Sequence, residues 1–152
     1  VSAAVTGFAP DVRDGILLRD GGLCAMLGTP GCRGQKADEA NHRLNRGMGG
    51  TSLEAVSSHP SNGCALEHDC NWRLEHSAEF AEAGRRRGVK LEAGQDPLSV
   101  PMWSVFFRQW VAFDVAGGMH LTGDVDVSRD ARAAVLHPGA GSGFFIEWKE
   151  AA

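Results

Sequence analysis

The chain has 152 residues, 43% of them hydrophobic, and a net charge of −4 from 15 Lys and Arg against 19 Asp and Glu. That length suits one compact domain or a small domain with an appendage. No apolar run reaches the roughly eighteen residues of a membrane span, and the N-terminus lacks the basic-then-apolar pattern of an export signal, so a cytoplasmic protein without a membrane segment is expected.

In chain order, Pro10-Asp11 followed by Val12, Ile16 and Leu17 predicts an acid-started helix that ends at Gly21-Gly22. Cys24 to Cys32 encloses Gly28-Thr29-Pro30-Gly31, a turn sequence that lets the two thiols approach at a knuckle. Residues 37–44 suit a short strand, 45–61 a Gly/Ser/Pro-rich loop, and 62–66 a returning strand. Residues 71–87 read as one helix, rich in Ala, Leu, Glu and Arg, with Gly88 as its C-terminal cap. Beyond Leu91, Gly94-Gln95-Asp96-Pro97 and Pro101 punctuate the chain before the apolar run 103–115. A turn at Gly117-Gly118, a strand over 119–127 and another over 144–148 complete a β-rich region holding three of the four tryptophans, which are expected to fill a small core.

In a reducing compartment four cysteines favour a metal over disulfides. Structural zinc takes four tetrahedral ligands, so Cys24 and Cys32 supply one half and Cys64 with Cys70 the other, with His68 as an alternative ligand. The bland alternative is a set of buried free thiols, because none of the spacings is a tight Cys-x-x-Cys. Basic groups cluster at Arg33/Lys36, Arg43/Arg46 and Arg85-Arg86-Arg87/Lys90. The acidic excess lies mostly after residue 95, so the total charge weakens a nucleic-acid reading without removing it.

Inside the cysteines stand Asn41-His42, then Arg46-Gly47-Met48-Gly49-Gly50, then Asn62, then Asn71 with Glu75 one helical turn on. This ordered set resembles the site of HNH (ββα-metal, His-Me finger) endonucleases, in particular the small zinc-stapled phage type. The resemblance runs from about Phe8 to Pro101 and includes Arg19-Asp20-Gly21-Gly22 and the Asp96-Pro97 to Pro101 segment. It implies an α+β fold, with a zinc-stapled ββα-metal nuclease module over 1–95 and a β-rich C-terminal extension over 96–152.

Carried over residue by residue, the resemblance makes His42 the general base and Asn62 the residue that holds the histidine's strand. Asn41, Asn71 and Glu75 become ligands of a catalytic divalent ion, with His76 as an alternative. The family's motif is usually His-Asn-His and here reads His-Asn-Asn. Amide and carboxylate oxygens favour Mg2+ or Mn2+ at that position, apart from the structural Zn2+. Family members also present a Cys-x-x-Cys before the helix; Glu67 stands at its first position, so Cys64, His68 or Glu67 remain candidates to complete the zinc set with Cys70. DNA is the implied partner, with Arg43, Arg46, Arg73, Arg85, Arg86 and Arg87 as phosphate contacts, and phage terminase subunits as further partners. Two other classes compete: a zinc-stapled DNA- or protein-binding module without chemistry, and a virion or assembly protein working through its aromatic C-terminal region.

Overall fold

The computed structural model describes residues 7–45, 58–122, 126, 128–139 and 143–149. The fold is mixed α+β. Helix α1 spans Pro10–Arg19, with proline in its first turn and Asp11 at the positive end of the dipole. Strand β1 (Glu39–His42) pairs antiparallel with β2 (Gly63–Leu66), setting Asn41 opposite Cys64 and His42 opposite Gly63. Helix α2 (His68–His76) follows β2 after a single residue, and α3 (Ala78–Arg87) follows α2.

The single helix expected over 71–87 is therefore two, with the first beginning at His68. Ser77 makes the break: its backbone is extended (φ −118°, ψ 118°), and its hydroxyl accepts the Phe80 N–H at 3.3 Å. A serine oxygen that caps a new helix competes with continuation of the old one. At the far end Gly88 takes the left-handed cap with φ 72°, and a Cβ there would collide with the Pro101 carbonyl.

The apolar run after Pro101 splits into β3 (Met102–Ser104) and β4 (Gln109–Phe113), joined by a turn in which Arg108 has φ 56° and returns its N–H to the Ser104 carbonyl. Strand β5 (Met119–Leu121) completes an antiparallel meander and stops before Thr122, while residues 123–125 and 127 of the strand expected over 119–127 lie outside the described residues. The strand expected over 144–148 is present as β7 (Phe144–Trp148), and its partner is β6 (Ala134–Pro138).

Two apolar clusters fill the interior, and both draw on residues before and after 95. One gathers Met26, Leu66, Leu74, Phe80 and Val89 with Met102, Val111 and Phe113. The other joins Leu44 and Leu91 to Trp103 and Trp110, and Trp148 packs edge-on against Trp110 at 5.0 Å. Among the described residues no helix is long and apolar enough to cross a membrane.

Arg43 crosses between these layers. Expected at a DNA phosphate, it is instead fully buried. Its Nε donates to the Gly88 carbonyl at 2.6 Å, one terminal nitrogen to Ser61 and Pro97 at 2.8 and 3.1 Å, and the other to Val100 and Pro101 at 2.7 and 3.3 Å. A guanidinium has five N–H donors, and all five are used. The Phe113 ring lies 5.3 Å from its centre, and Arg19 covers the same ring at 4.9 Å. Burial pushes Arg43 down to about 9, which leaves it a cation at neutral pH.

Replacing Arg43 by Met keeps the stem and strands five carbonyls, so Arg43→Met should cost about 3–5 kcal/mol in urea denaturation, the scale of breaking a buried charged network. Exposed Arg86→Met should stay within about 0.5 kcal/mol. A surface role for Arg43 would give the reverse: near-normal stability with lost DNA affinity.

Candidate functional site

The β1–β2 hairpin places Asn41 and His42 side by side, and strand alternation turns them to opposite faces. The His42 ring stacks on Phe8, centroids 4.2 Å apart and planes within 15°, so the segment leading into α1 fixes its orientation. Asn41 donates its side-chain amide to Glu39 at 3.2 Å.

Asn62 is buried at the end of the 3-10 turn Pro60–Asn62. Its Oδ1 accepts the Leu44 N–H at 2.8 Å, its Nδ2 donates to the Leu44 carbonyl at 3.4 Å, and its own carbonyl accepts the Arg43 N–H at 2.7 Å. A side-chain amide thus imitates one more pair of the strand ladder and holds the chain immediately after His42.

Asn71 and Glu75 share a face of α2, one turn apart. The Glu75 carboxylate receives Asn45 Nδ2 at 3.2 Å on each oxygen and Lys90 Nζ at 3.2 Å. Asn45 did not stand out in the sequence, and Lys90 did so only as a member of the basic cluster after Arg87. Asn45 is three residues beyond His42 and thus joins the two arms of the hairpin–helix unit. Lys90 neutralises the single carboxylate expected to bind the catalytic ion, so a cation there competes with an ammonium. His76, the alternative ligand, stacks under Trp72 at 4.2 Å and bonds the Trp72 carbonyl.

The thiols assemble elsewhere. Cys24, Cys32 and Cys70 bring their sulfurs within 4.8 Å of one another, and this is the one such cluster of His, Cys, Asp or Glu among the described residues. The knuckle carrying Cys24 and Cys32 closes through turn bonds from Leu27 to Cys24, Thr29 to Met26 and Cys32 to Thr29, and Ala25 N–H ties it to the Ala65 carbonyl of β2. Gly31, at φ 99°, supplies the left-handed step beside Cys32. Cys70 enters from the first turn of α2.

Cys24 Sγ accepts backbone N–H bonds from Glu67 and Met26, but burial outweighs them and its pKa is raised. Burial and then the neighbouring Cys24 raise that of Cys70 as well. Two thiols, Cys24 and Cys70, that burial holds against ionisation, with the partly exposed Cys32 beside them, make an environment that a divalent cation inverts. Soft sulfur donors, a shielded position and N–H···S contacts suit a metal ion such as zinc.

The fourth cysteine is not in this cluster. Cys64 lies fully buried on β2, its Sγ nearest the Asn41 and Val89 carbonyls at 3.8 and 3.9 Å, and burial pushes its thiol up to about 12. Strand alternation turns it into the core between the hairpin and the end of α3, which corrects its assignment as a zinc ligand. His68, the alternative ligand, is an exposed partner of Glu39 at 3.5 Å.

The arginines are corrected too. Arg87 donates to the Ala25 and Leu27 carbonyls at 2.9 and 2.8 Å, and Arg73 to the Gly31 carbonyl, so both brace the knuckle instead of facing phosphate. Arg85 pairs with Glu82 and Glu92, each at 3.6 Å, while Arg86, at 3.9 Å from Glu82, is the more exposed of the two. Arg46 and the glycine-rich stretch after it lie outside the described residues.

If the three-cysteine cluster holds a metal, chelation should lower the melting temperature of the wild-type chain. Cys70→Ser should start at the lower temperature and show no further fall with chelator, as read by thermal denaturation beside elemental analysis.

No protein-family model, curated protein or solved structure matches this chain.

Proposed function

We propose that the chain is a metal-dependent DNA endonuclease of the HNH type. The observation that carries this reading is Asn62: buried, it pins the backbone just past His42, the role the resemblance requires of it. The hairpin followed directly by a helix bearing Asn71 and Glu75 is consistent with a ββα site.

In this reading His42 takes a proton from the attacking water, and Phe8 and Asn62 keep its ring and strand in place for that transfer. Asn41, Asn71 and Glu75 would hold Mg2+ or Mn2+, which when bound supplies charge stabilisation at the scissile phosphate and the departing oxygen. Lys90 sets how readily Glu75 is available, while Asn45 keeps the carboxylate close to the His42 strand. With Arg43, Arg73 and Arg87 committed to backbone carbonyls, three of the six arginines expected at phosphate are taken, so DNA binding should be weaker and shallower in its salt dependence than six contacts would give. The cysteine cluster serves as the structural zinc staple. Phage genome processing beside terminase subunits is the setting the resemblance suggests.

One observation favours the competing reading of a binding module without chemistry: the ammonium of Lys90 already compensates Glu75, and the other two proposed ligands are neutral amides. Plasmid cleavage with EDTA, Mg2+ or Mn2+ separates the two. A nuclease should nick or linearise DNA only with the divalent ion, His42→Ala should slow it by about 100- to 10,000-fold, and Lys90→Met should lower the Mg2+ concentration for half-maximal rate. Absence of cleavage by a folded, metal-containing chain under every condition would sink the nuclease reading.

A further inference from the structure

Glu67 is 4% exposed, yet among the described residues no Lys, Arg or His pairs with it. It occupies the N-cap of α2, where an acidic side chain ordinarily bonds the helix's first N–H groups, but it makes no such cap. Its carboxylate instead accepts the Cys70 S–H, Sγ to Oε2 3.5 Å, while its own backbone N–H points at Cys24 Sγ. A buried carboxylate held this way, with no cation of its own, is costly unless something positive completes its surroundings.

We infer that Glu67 is the fourth ligand of the cysteine cluster, making a Cys3Glu site with Cys24, Cys32 and Cys70 for a borderline-soft divalent ion such as zinc. This rests on the metal staple but not on nuclease chemistry. The sulfurs lie mutually within 4.8 Å and Glu67 falls outside that set, so coordination draws its carboxylate in from the Cys70 side. The rival ligands are turned elsewhere: Cys64 into the core and His68 into solvent. Three thiolates and a carboxylate on a dication leave about −2 in net charge. Two features offset it: the positive end of α2 at Cys70, and the largely buried Arg87, whose guanidinium feels Cys32 and Cys24 while gripping the knuckle carbonyls.

The test is cobalt substitution of the full chain, because sulfur-to-Co2+ charge-transfer absorbance scales with the number of thiolates while the ligand-field bands report the whole ligand set. Cys64→Ala should leave both unchanged. Glu67→Gln should keep the charge-transfer intensity, shift the ligand-field bands and weaken Co2+ and Zn2+ binding by roughly 100-fold or more, beyond the range of outer-shell losses. Should Glu67→Gln fail to fold, Glu67→Cys replaces it as the probe, and its charge-transfer intensity should rise by about one third, from three sulfurs to four. Loss of intensity in Cys64→Ala, unaltered bands and affinity in Glu67→Gln, no rise in Glu67→Cys, or no Co2+ uptake at all would each overturn the assignment. Because none of these readouts involves DNA, failure of the nuclease reading would leave the result standing, and the converse holds.

Discussion

A single guanidinium sets the geometry on which the rest depends. Arg43 takes up carbonyls from the turn before β2, the cap of α3 and the 97–101 segment, and holds them against a strand that continues from His42. These carbonyls belong to irregular backbone, which has no ladder to satisfy it. One planar cation with five fixed donors replaces that ladder. The alternative, a buried loop with unpaired oxygens, would cost more than such a small fold has to spare.

Around that node, side chains substitute for regular structure repeatedly. Arg19 and Asp20 form a fork: Asp20 accepts the Ala65 N–H while Arg19 reaches the Pro60 and Gly63 carbonyls, so the end of α1 is fastened to β2. Asn62 does the same for the chain after His42. Short strands of three to five residues bury too little to hold their own register. Polar side chains supply what strand length does not.

The cysteine knuckle and the proposed catalytic face meet on α2. Cys70 and Asn71 are adjacent, and Glu67 immediately precedes the helix that carries Glu75. A metal gathered by Cys24, Cys32 and Cys70 would fix the N-terminus of α2 relative to β2, because Ala25 is already bonded to Ala65. Any ion held by Asn71 and Glu75 would then inherit its position from the staple. Arg73 and Arg87 strengthen the same link from the helix side, so the last arginine of the 85–87 run is spent on the knuckle carbonyls.

Local chemistry was enough to determine α1, the two short strands flanking the loop, the glycine cap at Gly88 and the knuckle between Cys24 and Cys32, since proline, glycine and apolar spacing act over a few residues. The break at Ser77 was present in the sequence as a cap residue but was masked by helix-favouring neighbours on both sides. Tertiary structure alone decided the rest. A charged side chain looks the same in sequence whether its donors meet water, phosphate or carbonyls, so Arg43, Arg73 and Arg87 read as phosphate contacts until the fold aimed them at backbone carbonyls. Likewise nothing local separates Cys64 from its three partners: which thiols converge depends on the face a strand turns inward and on where a helix begins, and those are properties of the packed chain.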